Sequence, residues 1–544
     1  MRSRLLAAAF ATALTVPLLG QTFAAAEPRE VTGPSLPDTA SETAVERAGD
    51  VLARAQALFA RKSQAAARRQ AATNGREATL VLRDLRLVMD DLSPADQKRA
   101  KALLARPTEG AGDPSGDGYS VAEATPVCGT TVCVHYVTST ADAPPSTDTN
   151  PANGVPDEVD RALATAEDVN STYVSAGYRR PDSDGALGGG TDKVDVYLAD
   201  VGTQGLYGYC TTDQPEKNDG TFNYWAYCVI DDDFSTGQFG TRNSPVDGQR
   251  VTLAHEYFHA AQFAYDAGED GWIMEATATW AEERLYDGID DNRQYISDSQ
   301  IRQPWIPLDA YADFYHYGNW VFFEYLTKRW PAKTGKMPTL VLDIWKRLSA
   351  RAGAADRYST QAIQDVLSKR KTSFTTVYGQ FADGNRRPAK VYPEGQASVY
   401  KPIGPAQTWT LSKSKRGTGS WYYRVDHMTS IPIRFKPASG LRQRNWKLQV
   451  NVDLPPAKTA PVARVSVYLK TGKVTSSSIR LKAKGFSSKS VGFSSRKVKY
   501  VELVMANASR RTRCNTDEFS PFACLGTPLD DQKKYVYSAR IFRS

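Results

Sequence analysis

The sequence predicts a multi-domain α+β protein with a helical N-terminal segment, a central α+β domain and a C-terminal all-β sandwich. Three observations carry this. Residues 42–107 place apolar side chains three and four apart, the helical spacing. The middle of the chain mixes short alternating runs with long periodic ones. Beyond Arg386 the pattern becomes short alternating segments separated by Gly, Pro, Ser and Asn. At 544 residues the chain is also too long for one compact domain.

Met1-Arg2-Ser3-Arg4, an apolar run from Leu5, and Ala24-Ala25-Ala26 have the basic, apolar and small-residue regions of a signal peptide, assigned to residues 1–26. The run is too short and too interrupted to span a bilayer. No later run approaches that length, so no transmembrane segment is expected and the mature protein should be secreted. Export also accounts for the six cysteines, near neighbours in sequence as Cys128 and Cys133, Cys210 and Cys228, Cys514 and Cys524. An even count in an exported chain reads as disulfides, although connectivity does not follow from sequence.

Within residues 27–109, Val45, Ala48, Val51, Leu52, Ala55, Leu58 and Phe59 form one apolar stripe, and Leu80, Leu85, Val88, Met89 and Leu92 another. Ser93-Pro94-Ala95-Asp96 starts a further helix, with serine as cap and proline in the first turn, and Pro107 stops it. Two readings stay open: a helical domain in its own right, or a propeptide that covers a functional site until removed. The segment has no cysteine, so any such cover acts sterically or through a carboxylate. Residues 110–118 form a Gly/Pro/Asp linker.

A domain over residues 119–390 begins with a strand at Thr131–Val137. In the stretch from Asp148 to Asp160, the oxygen ligands Asp148, Asn150, Asp157 and Asp160 suit calcium. Gly154 falls one place late for an EF-hand loop, and the alternative is an acidic loop leading into a helix over 158–176. Gly188-Gly189-Gly190 is a flexible turn, not a phosphate loop. Strands follow at Val194–Leu198 and Tyr224–Ile230, and Asp231-Asp232-Asp233 could bind metal but reads rather as a solvated turn.

His255-Glu256-Tyr257-Phe258-His259 is the stretch around which the chain is organised. Residues four apart share one helix face, so the two imidazoles can converge on one cation, with Glu256 beside them to take a proton. The whole chain holds five histidines, which makes this pairing improbable as an accident. A catalytic zinc needs a third protein ligand and an open position. Glu275 follows His259 closely enough for a turn near 266–268 and an antiparallel second helix to bring it back. Glu282, two turns on, is placed to accept a ring N–H of a ligand histidine, whereas Glu283 should point away.

With Trp272, Glu275, Ala278 and Glu282 at their spacings, this region resembles the gluzincin metallopeptidases, the clan of thermolysin and the zinc aminopeptidases. It is most similar to a group of secreted bacterial proteins of metallopeptidase type with an Asn-Gly-x-Pro-Asp segment upstream. The resemblance covers roughly residues 250–330. It implies a zincin-like α+β catalytic domain with a helical lower lobe, zinc on His255, His259 and Glu275, and Glu256 as general base. It also implies a sheet edge that pairs with an extended peptide substrate. Tyr315-His316-Tyr317-Gly318 resembles the segment that supplies an oxyanion-stabilising hydroxyl, which falls to Tyr315, with Tyr317, His316 and Tyr311 as rivals. The aminopeptidases' G-x-M-x-N segment is absent, favouring internal cleavage of a peptide or protein substrate.

Residues 318–384 are helical again, with Trp320, Phe323, Leu326, Leu340, Ile344 and Leu348 on periodic faces. Residues 398–544 carry 28 Lys+Arg against 7 Asp+Glu, a net of +21, which leaves −13 for residues 1–397 out of the overall +8. Such a basic domain is expected either to be drawn to anionic cell-surface polymers or to be an accessory domain whose lysines do nothing specific, while export gives no reason to expect nucleic acid. An alternative function is therefore a non-catalytic surface-binding protein with a structural zinc. No G-x-S-x-G elbow occurs, so a serine hydrolase of that type is excluded.

Overall fold

The computed structural model describes residues 29–31, 44–108 other than 61 and 63, 118–515 other than 216 and 218, and 520–544. The expected signal peptide and all of the linker except residue 118 lie outside the described residues. The protein is a mixed α/β chain built from several helices and three five-stranded sheets.

A central sheet runs in the spatial order Val127–Cys128, Val132–His135, Val194–Ala199, Tyr227–Asp231, Gly208–Thr211. Its three middle strands are parallel, and the Gly208–Thr211 edge is antiparallel to its neighbour. Every residue of Val194–Ala199 is buried, as expected of a strand covered on both faces. One face, with Val132, Val196, Leu198 and Ile230, packs on the helices Asp157–Ser175 and Pro245–Phe263. The other, with Tyr197, Tyr209, Tyr227 and Val229, is covered by Leu52, Leu82 and Leu85 of the N-terminal helices Ala44–Phe59 and Ala78–Leu87. Leu80 of the latter helix reaches through to the first core. The N-terminal segment thus shares its core with the central sheet.

Two further N-terminal helices, Gln64–Asn74 and Pro94–Leu103, complete the segment, and the Ser93 hydroxyl caps the second by accepting the Asp96 N–H at 3.2 Å. Helices Trp320–Arg329, Thr339–Leu348, Ser359–Lys369 and Phe374–Gly384 extend the core below the central sheet.

Residues 407–543 supply all but one strand of two five-stranded sheets. One has the order Arg29–Val31, Gly417–Val425, Lys533–Arg543, Trp446–Asp453, Phe486–Gly492, and the other Val474–Ser478, Pro461–Leu469, Val498–Asn507, Thr429–Pro437, Gln407–Leu411. Trp446–Asp453 alternates inward and outward side chains, and its inward set joins Leu411, Phe435, Val465, Leu503 and Tyr535 in one core. The Arg29–Val31 strand runs parallel to Trp421–Tyr423 at the edge of the first sheet. His427 ties this region to the rest, with Nε2 2.9 Å from Asp309 Oδ1 and Nδ1 2.7 Å from Asp531 Oδ1.

The six cysteines form Cys128–Cys133, Cys210–Cys228 and Cys514–Cys524. Cys210 and Cys228 sit opposite one another on adjacent strands. No helix among the described residues is long and apolar enough to cross a membrane.

Candidate metal centre

The helix Pro245–Phe263 opens on Ser244, whose hydroxyl accepts the Asp247 N–H at 3.1 Å, with Pro245 in its first turn. Its second half is buried on all sides, so His255 and His259 project into the protein rather than into water. The chain turns at 264–270, where Asp266 Oδ1 accepts the Gly268 N–H at 2.8 Å, and returns as the helix Gly271–Leu285. That return brings Glu275 and Glu282 to the histidines.

Three atoms meet. His255 Nε2 lies 3.1 Å from Glu275 Oε2 and 3.2 Å from His259 Nε2, and His259 Nε2 lies 3.5 Å from Glu275 Oε2. Ligand atoms bound tetrahedrally to zinc at about 2.0–2.1 Å stand about 3.3 Å apart, so the triangle has the dimensions of a zinc face. The outward nitrogens have their own partners: His255 Nδ1 is 3.1 Å from Glu282 Oε2, and His259 Nδ1 is 2.7 Å from Gln262 Oε1. Gln262 is held by its amide donating to Met274 O at 3.0 Å and Thr277 Oγ1 at 3.1 Å. Both rings are thereby oriented with Nε2 toward the common point.

Several buried polar atoms around this point have no hydrogen-bond partner: Glu275 Oε1, Glu256 Oε1, the Tyr317 hydroxyl and both ring nitrogens of His316. Unpaired buried polar atoms are costly, and a cation with its associated oxygen ligands would satisfy such a set. The residues fit a metal.

The acidic surroundings favour positive charge at this point. Burial alone would lower the His255 pKa, but Glu275 and Glu282 outweigh it and hold it up at about 9. Burial pushes Glu275 up, and His259 and His255 overcome that to hold it well below the ordinary carboxylate range. Glu256 is raised by burial, with the histidines and Thr79 opposing.

Tyr315 lies off the site, contrary to the expectation from its motif. Its hydroxyl donates to Ile306 O at 2.8 Å and Gln303 O at 3.2 Å, on the other side of the single turn Tyr315–Gly318. Tyr317 lies nearer the cluster instead, with its ring 5.9 Å from that of His255, and the tilted His316 ring is 4.5 Å from it. Burial lowers His316 to about 4, so it is neutral near pH 7.

Of the four residues expected to suit calcium, Asp148 accepts the N–H groups of Asn153 and Gly154, Asp157 those of Thr149 and Asn150, and Asp160 the Asn153 amide, so these oxygens shape the loop. Two other acidic groups do converge, Asp200 with Asp231 and Asp232, and Glu283 with Asp287 and Glu394. Asp231 is fully buried, not solvated, and its carboxylate accepts the N–H groups of Gly202 and Phe234. Glu283, expected to point away from the zinc, does so and lies 3.3 Å from Arg284.

What the sequence did not disclose is the roof of the site. The Thr79 hydroxyl donates to Glu256 Oε2 at 2.6 Å and accepts the Cys210 N–H at 2.8 Å. Arg76 donates to Glu282 Oε2 at 2.6 Å and to Asp291 Oδ2 at 2.9 Å. Arg83 donates to Ala267 O and Glu269 O, pinning the turn between the two site helices. Beneath this roof His255, Glu256, His259 and Glu275 are all 0% exposed.

No protein-family model and no curated protein matches the chain. Among solved structures, a family GH115 4-O-methyl-α-glucuronidase is 8% identical at a TM-score of 0.14, over 55% of this chain and 42% of that one. A β-glucosidase from Paenibacillus barengoltzii is 11% identical at 0.12, over 32% and 17%. The chain thus spans less than half the length of either. Similarity that low carries no argument about fold or activity.

Proposed function

We propose that the chain is a secreted zinc-dependent peptidase of gluzincin type, with a zincin-like catalytic domain and internal rather than terminal cleavage. The observation that carries this reading is the triangle of His255 Nε2, His259 Nε2 and Glu275 Oε2 with Glu256 on the same helix. Zinc held there supplies a Lewis acid that lowers the pKa of water and polarises a carbonyl. Glu256 takes the proton of the attacking water and delivers it to the leaving amine, and its raised pKa suits both halves of that task. Tyr317 and His316, buried and without partners, donate to the oxygen on which charge develops. Glu282 and Gln262 hold the ligand rings in position.

The test is zinc content together with digestion of an unbiased peptide mixture, with and without chelator, on the chain as made and after limited proteolysis. Glu256→Gln should retain zinc and lose about 10²–10⁴-fold in rate. Zinc-loaded protein with no turnover in either form defeats the reading.

One observation favours a second reading, a surface-binding protein with a structural metal: the ligands are sealed from solvent, as in closed zinc sites. The net +21 of residues 398–544 supports attachment to an anionic cell-surface polymer under either reading. Glu256 argues for the enzyme, because a structural site has no use for a buried proton acceptor beside its ligands.

A further inference from the structure

The space beside the His255–His259–Glu275 cluster is filled by a side chain of the N-terminal segment. Arg76 enters it with only 3% of its surface exposed, bridges Glu282 and Asp291, and lies over the Tyr207 ring with its guanidinium carbon 5.4 Å from the centroid. Two buried carboxylates and an aromatic face are what a guanidinium requires, since its planar donors serve both acids while its face covers the ring. Glu282 is also the partner of His255, so the pocket adjoins the metal ligands.

The backbone around Arg76 is held by a sheet edge. The Tyr207 N–H donates to Gly75 O at 2.9 Å, and the Cys210 N–H donates to Thr79, both from the chain at or just before the Gly208–Thr211 edge strand. Edge N–H groups are the usual anchor for an extended peptide. Gly75 is needed for this approach: a Cβ there would stand 2.7 Å from Tyr207 Cδ2 and 2.9 Å from the Ala71 backbone. Thr79 then sits on Glu256, the proposed proton acceptor. One stretch of five residues, 75–79, therefore engages the sheet edge, the acidic pocket and the general base at once.

We infer that residues 75–79 occupy the substrate cleft as an inhibitor carried in cis, and that the Glu282–Asp291–Tyr207 pocket is the subsite for an arginine side chain of the substrate. The inference rests on the peptidase reading above, whose substrate class and regulation it specifies. The same segment also covers the sheet face at Tyr197, Tyr209 and Tyr227.

The test uses the full zinc-loaded chain before and after limited proteolysis has excised the N-terminal segment, with near-UV circular dichroism and zinc content checking that the cut chain keeps its fold. Digestion of an unbiased peptide mixture, read by mass spectrometry, should rise at least about tenfold on excision. Cleavage sites should show arginine enriched at one fixed position from the scissile bond. Asp291→Asn should reduce that enrichment at least about tenfold, read as the ratio of arginine-containing to arginine-free cleavage sites. Equal rates before and after excision, or cleavage sites without basic preference, overturn the inference.

A binding measurement separates its fate from that of the peptidase reading. A synthetic peptide of residues 72–87 should bind the excised chain at least about tenfold more tightly than the same peptide with citrulline at position 76. If arginine is preferred yet no peptide is hydrolysed, the pocket stands and the peptidase reading falls. If hydrolysis proceeds and citrulline binds equally well, the pocket falls and the peptidase reading stands.

Discussion

The hydroxyl of Thr79 lies 2.6 Å from Glu256 Oε2, joining residues 177 apart in sequence in a fully buried hydrogen bond. Thr79 also receives the Cys210 N–H, so Thr79→Val removes one donor and one acceptor while keeping the shape. The N–H of Cys210 would be left unpaired inside the protein. A loss of about 1–3 kcal/mol in unfolding free energy is expected, measured by denaturant titration, with zinc content unchanged. Unaltered stability would mean that water replaces the hydroxyl.

Substitutions at the metal centre should sort by role. Glu275→Ala removes a ligand and should leave the purified protein without stoichiometric zinc after mild chelation. Glu282→Gln keeps all three ligands but loses the charge facing His255 Nδ1, and zinc affinity should fall about 10–100-fold. Metal analysis across a chelator series distinguishes the two. A Glu282→Gln protein that binds zinc as tightly as the parent would show that His255 needs no carboxylate partner.

Tyr315 and Tyr317 differ in what their hydroxyls touch, and Phe substitutions separate them. Tyr317→Phe should lower the rate by about 10²–10³-fold with zinc retained, since an oxyanion donor is lost. Tyr315→Phe should leave the rate within a few-fold and cost about 0.5–1.5 kcal/mol in stability, because its hydroxyl serves two backbone carbonyls. The opposite ranking of rates would restore Tyr315 to the site.

His427 gives the fold a pH dependence. Burial alone would lower its pKa, but Asp309 and Asp531 outweigh this and hold it up at about 10, above its ordinary value near 6.5. The folded protein therefore keeps a proton that the unfolded chain releases. The stabilisation is complete below about pH 6.5 and is lost as pH rises through about 10, at up to about 1.4 kcal/mol per pH unit. Urea unfolding from pH 6 to 10 should show that slope, and His427→Gln should flatten it. An unchanged slope in the variant would place the proton elsewhere.

Much of the metal centre was legible because it is written locally. An i, i+4 histidine pair fixes a shared helix face, and the gap to Glu275 leaves room for only a short turn, so the second helix has one way back. Glu282 followed from its two-turn spacing. Tyr315 misled because in a single turn of helix neighbours two apart face nearly opposite ways, and sequence does not say which way the turn is rotated. In the loop at 148–160 the acidic oxygens accept backbone N–H groups, a use that their spacing alone did not reveal. Gln262 sat within the motif helix, three residues past His259, and could have been found by asking what orients that ring. Thr79 and Arg76 carry no such mark. Their roles exist only because the N-terminal helices pack on the second face of the central sheet.

The short parallel pairing of Arg29–Val31 with Trp421–Tyr423 fastens the described start of the chain to the far C-terminal sheet. A single nick after the helical segment would therefore leave a separate polypeptide held by that strand pairing and by the core it shares with the central sheet, with no covalent tether. Its release would then follow mass action, so dilution would favour the open form.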